Sequence, residues 1–216
     1  MSPEELLTLF REEMDDEVEP YLWSDTFFYG ALDDAQKMFC RWTEGIADAS
    51  TPVVTTLEVE EGTTWLDLDP TLLRIRTATK SDGCDLEIVN HEDLLKRGWR
   101  FNGVPGAIRA LVIGLEANRA RVYPDASLAD TISLSVFRLP LDAIEDRNDE
   151  LEIDEQHHRH LLLWGKSLAY GVQDAETYDK TKKAEFRVEF RSYCDQAKAE
   201  QGRAKHKTRI VAYGGL

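Results

Sequence analysis

Residues 153–165 read IDEQHHRHLLLWG. Asp154 stands where a helix N-cap belongs, and His157, Leu161, Trp164 and Leu168 then recur at steps of three and four, the spacing of one helical face. The stretch decides the fold because of what precedes it. From Val53 to Val136 the apolar residues follow a period of two, and here the helical period returns. A further helix is expected around Phe186, Phe190, Tyr193 and Ala197, which also share a face.

Two helices are expected before the period-two region. Ser2-Pro3-Glu4-Glu5 reads as a capping box with proline in the first turn, followed by Leu6, Phe10 and Met14. Pro20 closes a linker. Ser24 caps a second helix whose stripe is Phe28, Leu32, Ala35, Phe39, Trp42 and Ile46, ended by Gly45 and the segment from Asp48 to Pro52. Between the helical pairs, Leu57/Val59, Leu66/Leu68, Leu73/Ile75, Leu86/Ile88, Leu111/Ile113, Ala120/Val122 and Ile132/Leu134/Val136 predict short strands. Turns at Glu61-Gly62 and Ser81-Asp82-Gly83 suggest antiparallel pairing, and Asn90 caps a short helix over 92–97. Amphipathic helices cannot bury their stripes alone. The expectation is therefore an α+β fold: a four-helix bundle of N- and C-terminal helices, an inserted antiparallel β-sandwich or barrel-like domain, and an extended C-terminal arm. The expected divisions are 1–50, 51–145, 146–204 and 205–216.

The chain has 216 residues, 42% hydrophobic and 31% charged, the balance of a soluble globular protein. The acidic start MSPEELLTLF is not a signal peptide, and no apolar run is long enough to span a membrane. Cys40, Cys84 and Cys194 are widely spaced and form no CxxC pair, so buried thiols in a reduced compartment are expected. The net charge of −15 is uneven. Residues 180–216 hold ten Lys/Arg against four Asp/Glu, a balance of +6, which leaves −21 on the rest. An acidic body argues against binding DNA through its phosphates. The basic end carries Arg203, Lys205, Lys207 and Arg209, then apolar Ile210, Val211 and Tyr213. Such a segment suits a DNA-grasping tail and equally a docking arm that adds to a sheet edge or lies in an acidic protein groove.

Three histidines in four positions raise the question of a metal. His157 and His160 are neighbours at i,i+3 and could face one ion, while His158 points elsewhere. A zinc site needs at least a third protein ligand, and neither HExxH nor a nearby cysteine supplies it. A metal-dependent hydrolase on His157 and His160 is thus the weaker alternative. In Leu66-Asp67-Leu68-Asp69 the acids alternate with leucines, as on the wet face of a half-buried strand. There is no GxSxG, and GVPGA lacks the phosphate-binding lysine. Trp42 and Trp164 lie on helix stripes and belong to the core. Trp99 is the one tryptophan with a case for a partner, or the β region for a receptor or glycan, though packing is the better reading even there. No cofactor and no catalytic residue are expected.

Four segments together resemble a known family: EELLTLFREEMDDEVEPYLWSD, DDAQKMFCR, FRLPLDAI and EIDEQHHRHLLLWGKSLAYGVQDAETYD. They are similar to the phage head–tail adaptor (connector) proteins related to the tail tubular protein A of short-tailed phages. The likeness runs over nearly the whole chain and keeps the order of helices, inserted β-domain, helices and extension. It implies a structural virion protein assembled in the host cytoplasm, in a ring usually of twelve copies between the portal and the tail nozzle or tail tube. A tail fibre is a further implied neighbour, and DNA passes through the channel without specific binding. The portal contact falls on the arm residues Arg203 to Tyr213 named above. The departure from the family is the length of the basic tail RAKHKTRIVAYGGL.

Overall fold

The structure, a computed structural model, describes residues 1–173 and 178–205. Two helices come first, α1 (Pro3–Glu13) and α2 (Asp25–Trp42). There follow β1 (Ile46–Asp48), α3 (Pro52–Thr55), β2 (Thr56–Val59), β3 (Trp65–Asp67), β4 (Leu72–Lys80), β5 (Asp85–Asn90) and α4 (His91–Lys96). Next come β6 (Pro105–Gly106), β7 (Ala110–Glu116), β8 (Arg119–Tyr123), β9 (Asp125–Ala126) and β10 (Asp130–Arg138). Helices α5 (Glu155–Ala169) and α6 (Lys180–Lys205) complete the order. The fold is α+β in two compact units, Met1–Glu44 with Asp142–Leu216, and Gly45–Leu141.

In the helical unit the caps stand where local chemistry puts them. Ser2 and Glu5 form the reciprocal capping box of α1, and Ser24 accepts from the Phe27 N–H to start α2. Asp154 precedes α5 without a side-chain cap bond. Helix α5 packs against α1, α2 and α6 and is buried around most of its circumference, including Leu161, Leu162, Trp164 and Ser167. Phe10, Phe39 and Phe190 close on it from the other three helices, and Phe28 packs against Phe10. Each such side chain contributes about 1.5–3 kcal/mol by leaving water. Helix α2 stops at Trp42, so Ile46 does not continue the stripe; it opens β1 instead. The cause is local: Thr43 leaves helical geometry, and Gly45 takes φ +80 where a Cβ would meet the Arg138 carbonyl oxygen at 2.8 Å.

The second unit is built on one curled eight-stranded sheet in the order β1-β10-β4-β5-β7-β8-β3, with β2 also on β10. Its larger core includes Val54, Ile75, Leu111, Val122, Ile132 and Val136. The expected all-antiparallel pairing is corrected at two places: β5 pairs with β7 in parallel, and β6 with β9 in parallel. Parallel neighbours need a crossover, and α4 with residues 97–109 supplies the one between β5 and β7. Asn90 caps α4 by accepting from the Asp93 N–H. Leu94 of that helix, with Val89, Ala110 and Val112, makes a small second core. On β4 the period of two also breaks. Register shifts against β10 leave Leu73 exposed and Ile75 buried although both have the same parity.

Candidate functional site

The histidines at the start of α5 are drawn to three different places. His157 is buried, its Nδ1 2.7 Å from the Tyr193 hydroxyl and its ring 4.7 Å from that of Phe39. His160 stacks flat on Tyr193 at 3.6 Å between centroids, and its buried Nδ1 has no partner among the described residues. His158 turns away, with Nδ1 2.9 Å from the Met1 carbonyl and Nε2 2.8 Å from that of Ile153. His157 and His160 therefore clasp a tyrosine of α6 from two sides. Burial pushes both below the ordinary imidazole value and pushes the Tyr193 phenol up. Among the described residues no group of three His, Cys, Asp or Glu is placed to hold a metal ion.

The seam between α2, α5 and α6 continues as an aromatic cluster. Trp42 meets Trp164 edge-on at 5.4 Å, and Phe190 lies against both. Trp164 is buried and its indole N–H donates to Asp34 at 2.7 Å. Trp42 is only half-buried, under the Arg191 guanidinium. Cys40 and Cys194 are buried thiols, and burial pushes Cys194 up to about 12. Cys84 departs from expectation. It sits exposed in the turn before β5, where an Asp82 oxygen accepts from its N–H.

The carboxylates of residues 67–69 serve the sheet. Asp67 pairs with Arg119, and Asp69 accepts from the Thr71 N–H at 2.8 Å to shape a turn. Trp99, in the crossover, stacks on Tyr123 at 4.8 Å, half-buried against the second core.

The SU10 adaptor protein family matches residues 1–211. The chain belongs to that family. No curated protein matches it. As a member of a phage adaptor family the protein is a structural component of the virion. In the adaptor the histidine clasp joins α5 to α6.

Of the arm residues, Arg203 lies exposed near the end of the adaptor's α6, and Lys205 is the last residue of that helix. Lys207, Arg209, Ile210, Val211 and Tyr213 lie outside the described residues. No helix among the described residues is long and apolar enough to cross a membrane. Reading the sequence missed Tyr193 as the partner of both histidines and Asp34 as the partner of Trp164. The first is 36 residues from His157 and the second 130 from Trp164, and no local pattern encodes either.

Proposed function

We propose that this chain is a head-to-tail adaptor: a ring of copies, twelve on the resemblance to tail tubular protein A, that joins the portal to the tail nozzle or tail tube. The ring extends the channel through which the genome is retained and ejected, and a tail fibre is a further neighbour. In this reading the protein is assembled in the host cytoplasm and catalyses no reaction. Helices α1, α2, α5 and α6 act as a four-helix bundle, the β region is an inserted domain, and residues 205–216 form the arm. Portal contact belongs to Arg203, Lys205, Lys207, Arg209, Ile210, Val211 and Tyr213.

The observation that carries the reading is the family match, which spans residues 1–211. The charge agrees with it: an acidic body around a channel denies DNA the phosphate contacts that would stall it. The test is reconstitution. The full chain mixed with portal rings should form a defined portal–adaptor assembly in negative-stain images and co-sediment with it. A chain that neither self-assembles nor binds portal rings would overturn the proposal.

A further inference from the structure

The helical unit carries opposite charge on its two flanks. On α5, α1 and the segment before it are met by His158, Arg159 and Gly165, whereas α6 is met by His160, Trp164 and Ser167, and Lys166 reaches both, pairing with Glu13 and lying over the Phe186 ring. A helix turns about 100° per residue, which puts these two sets on opposite sides. Helices α1 and α6 therefore flank α5 from either side. Residues 1–24 hold one Lys/Arg against eight Asp/Glu, while α6 holds eight against four.

The charges are also arranged for contact. On α6, Lys180, Arg187, Arg191 and Lys198 are exposed, and steps of seven, four and seven keep them on one line. Only Arg191 has an acidic partner, Asp195, among the described residues. On the other flank Glu12, Glu17 and Glu19 are exposed and make no ion pair within the described residues. The loop that bears Glu17 and Glu19 is held in shape. The buried Asp16 carboxylate accepts from the Leu22 N–H at 2.7 Å and the Trp23 N–H at 3.3 Å. The Arg11 guanidinium lies 3.3 Å from the Tyr21 ring centroid. This fixed loop displays Val18, 80% exposed, and Leu22, 54% exposed; α6 displays Val188, 69% exposed. A loop already held in shape has little ordering left to lose on contact.

We propose that the occupant of each flank is a second copy of this chain. The Glu12–Leu22 segment of one copy lies along the Lys180–Lys198 line of α6 in the next. Copies of net charge −15 repel each other at long range, so self-association requires locally complementary surfaces, and these two flanks are such a pair. A contact between two different surfaces of one chain is heterologous, and repetition gives a ring when the rotation from copy to copy closes. The inference rests on the ring reading above and names the contact that builds it.

Sedimentation velocity on the full-length chain tests it, with circular dichroism to verify that each variant keeps its helices. Glu12→Lys/Glu17→Lys/Glu19→Lys should lose the oligomer, although it carries less net charge than the wild type and so repels itself less. Lys180→Glu/Arg187→Glu/Lys198→Glu should lose it too. A chain with all six changes returns to a net charge of −15 and should assemble again, as should a mixture of the two triple variants. Wild-type oligomer mass in either triple variant, or no rescue in the six-fold chain, overturns this interface and leaves the ring standing. A wild-type chain that stays monomeric overturns this interface, and one that also fails to bind portal rings sinks both.

Discussion

Asp48 and Arg138 meet at 2.6 Å although 90 residues separate them, with both side chains less than a tenth exposed. Asp48 lies on β1, where the chain comes into the sheet unit, and Arg138 on β10, where it leaves. The pair ties the two ends of that unit together across the β1–β10 ladder. The Ser50 and Thr51 N–H groups donate to the same carboxylate at 2.9 and 3.1 Å.

Removing the cation should therefore be costly. Arg138→Met leaves Asp48 charged, buried and short of a donor, and breaking a buried pair in this way costs about 3–5 kcal/mol. Urea unfolding followed through the tryptophans reads the loss; a change below about 1 kcal/mol would place the pair among exposed salt bridges. The pH dependence has a definite sign. Burial alone would raise Asp48, but the Ser50, Arg138 and Thr51 donors outweigh it and hold the carboxyl far below its ordinary 3.8. Its stabilisation is fully present above about pH 4 and is lost as the pH falls toward the folded value.

The histidine clasp gives a second pH window. His157 and His160 are depressed below 6.5 by burial, among Phe39, Tyr193, Gln156 and the charges of Asp154, Arg159, Glu189 and Glu200. The unfolded chain takes up protons first, so stability should fall as the pH drops through 6.5 toward the folded values. Urea midpoints measured on either side of that value should differ in the wild type and converge in His157→Gln/His160→Gln. An equal slope in both proteins would assign the effect to other groups.

Trp164 should be the most sensitive position of the helical unit. Trp164→Ala removes a buried ring packed on Trp42 and Phe190 and leaves Asp34 without its indole donor, at a cost of about 3–5 kcal/mol. Trp164→Phe keeps much of the packing and should cost clearly less. Thermal unfolding of the three proteins gives the order.

Deleting residues 205–216 should leave the melting temperature almost unchanged while abolishing attachment to portal rings. Pull-down with portal measures the second effect. Attachment at wild-type affinity would move the portal contact onto the helical unit.

The body without residues 203–216 should not bind DNA at about 0.15 M salt, because it lacks the clustered cations that phosphate contacts require. Fluorescence anisotropy with a labelled duplex reads this directly. Micromolar binding with a steep salt slope would contradict it.

Local chemistry settled much of this protein before any folding is considered. Ser2, Ser24 and Asn90 mark helix starts because their short polar side chains and the backbone groups they cap lie within a few residues of one another, while Asp154 marks the start of α5 without a side-chain bond. The period-two stretches and the helical stripes on either side of them separate sheet from helix for the same reason, since burial on one face repeats at the pitch of the element, although β1 at Ile46–Asp48 precedes Val53, which lies in α3. The acidic body and basic end are likewise properties of composition. What only the tertiary structure decided are pairings between distant residues. The parallel β5–β7 neighbours, the Asp48–Arg138 tie and the placement of His157 and His160 around Tyr193 depend on which elements meet. So do the opposite flanks taken by α1 and α6. Periodicity states which face of a segment is buried, but the partner of that face is fixed by packing the whole unit at once.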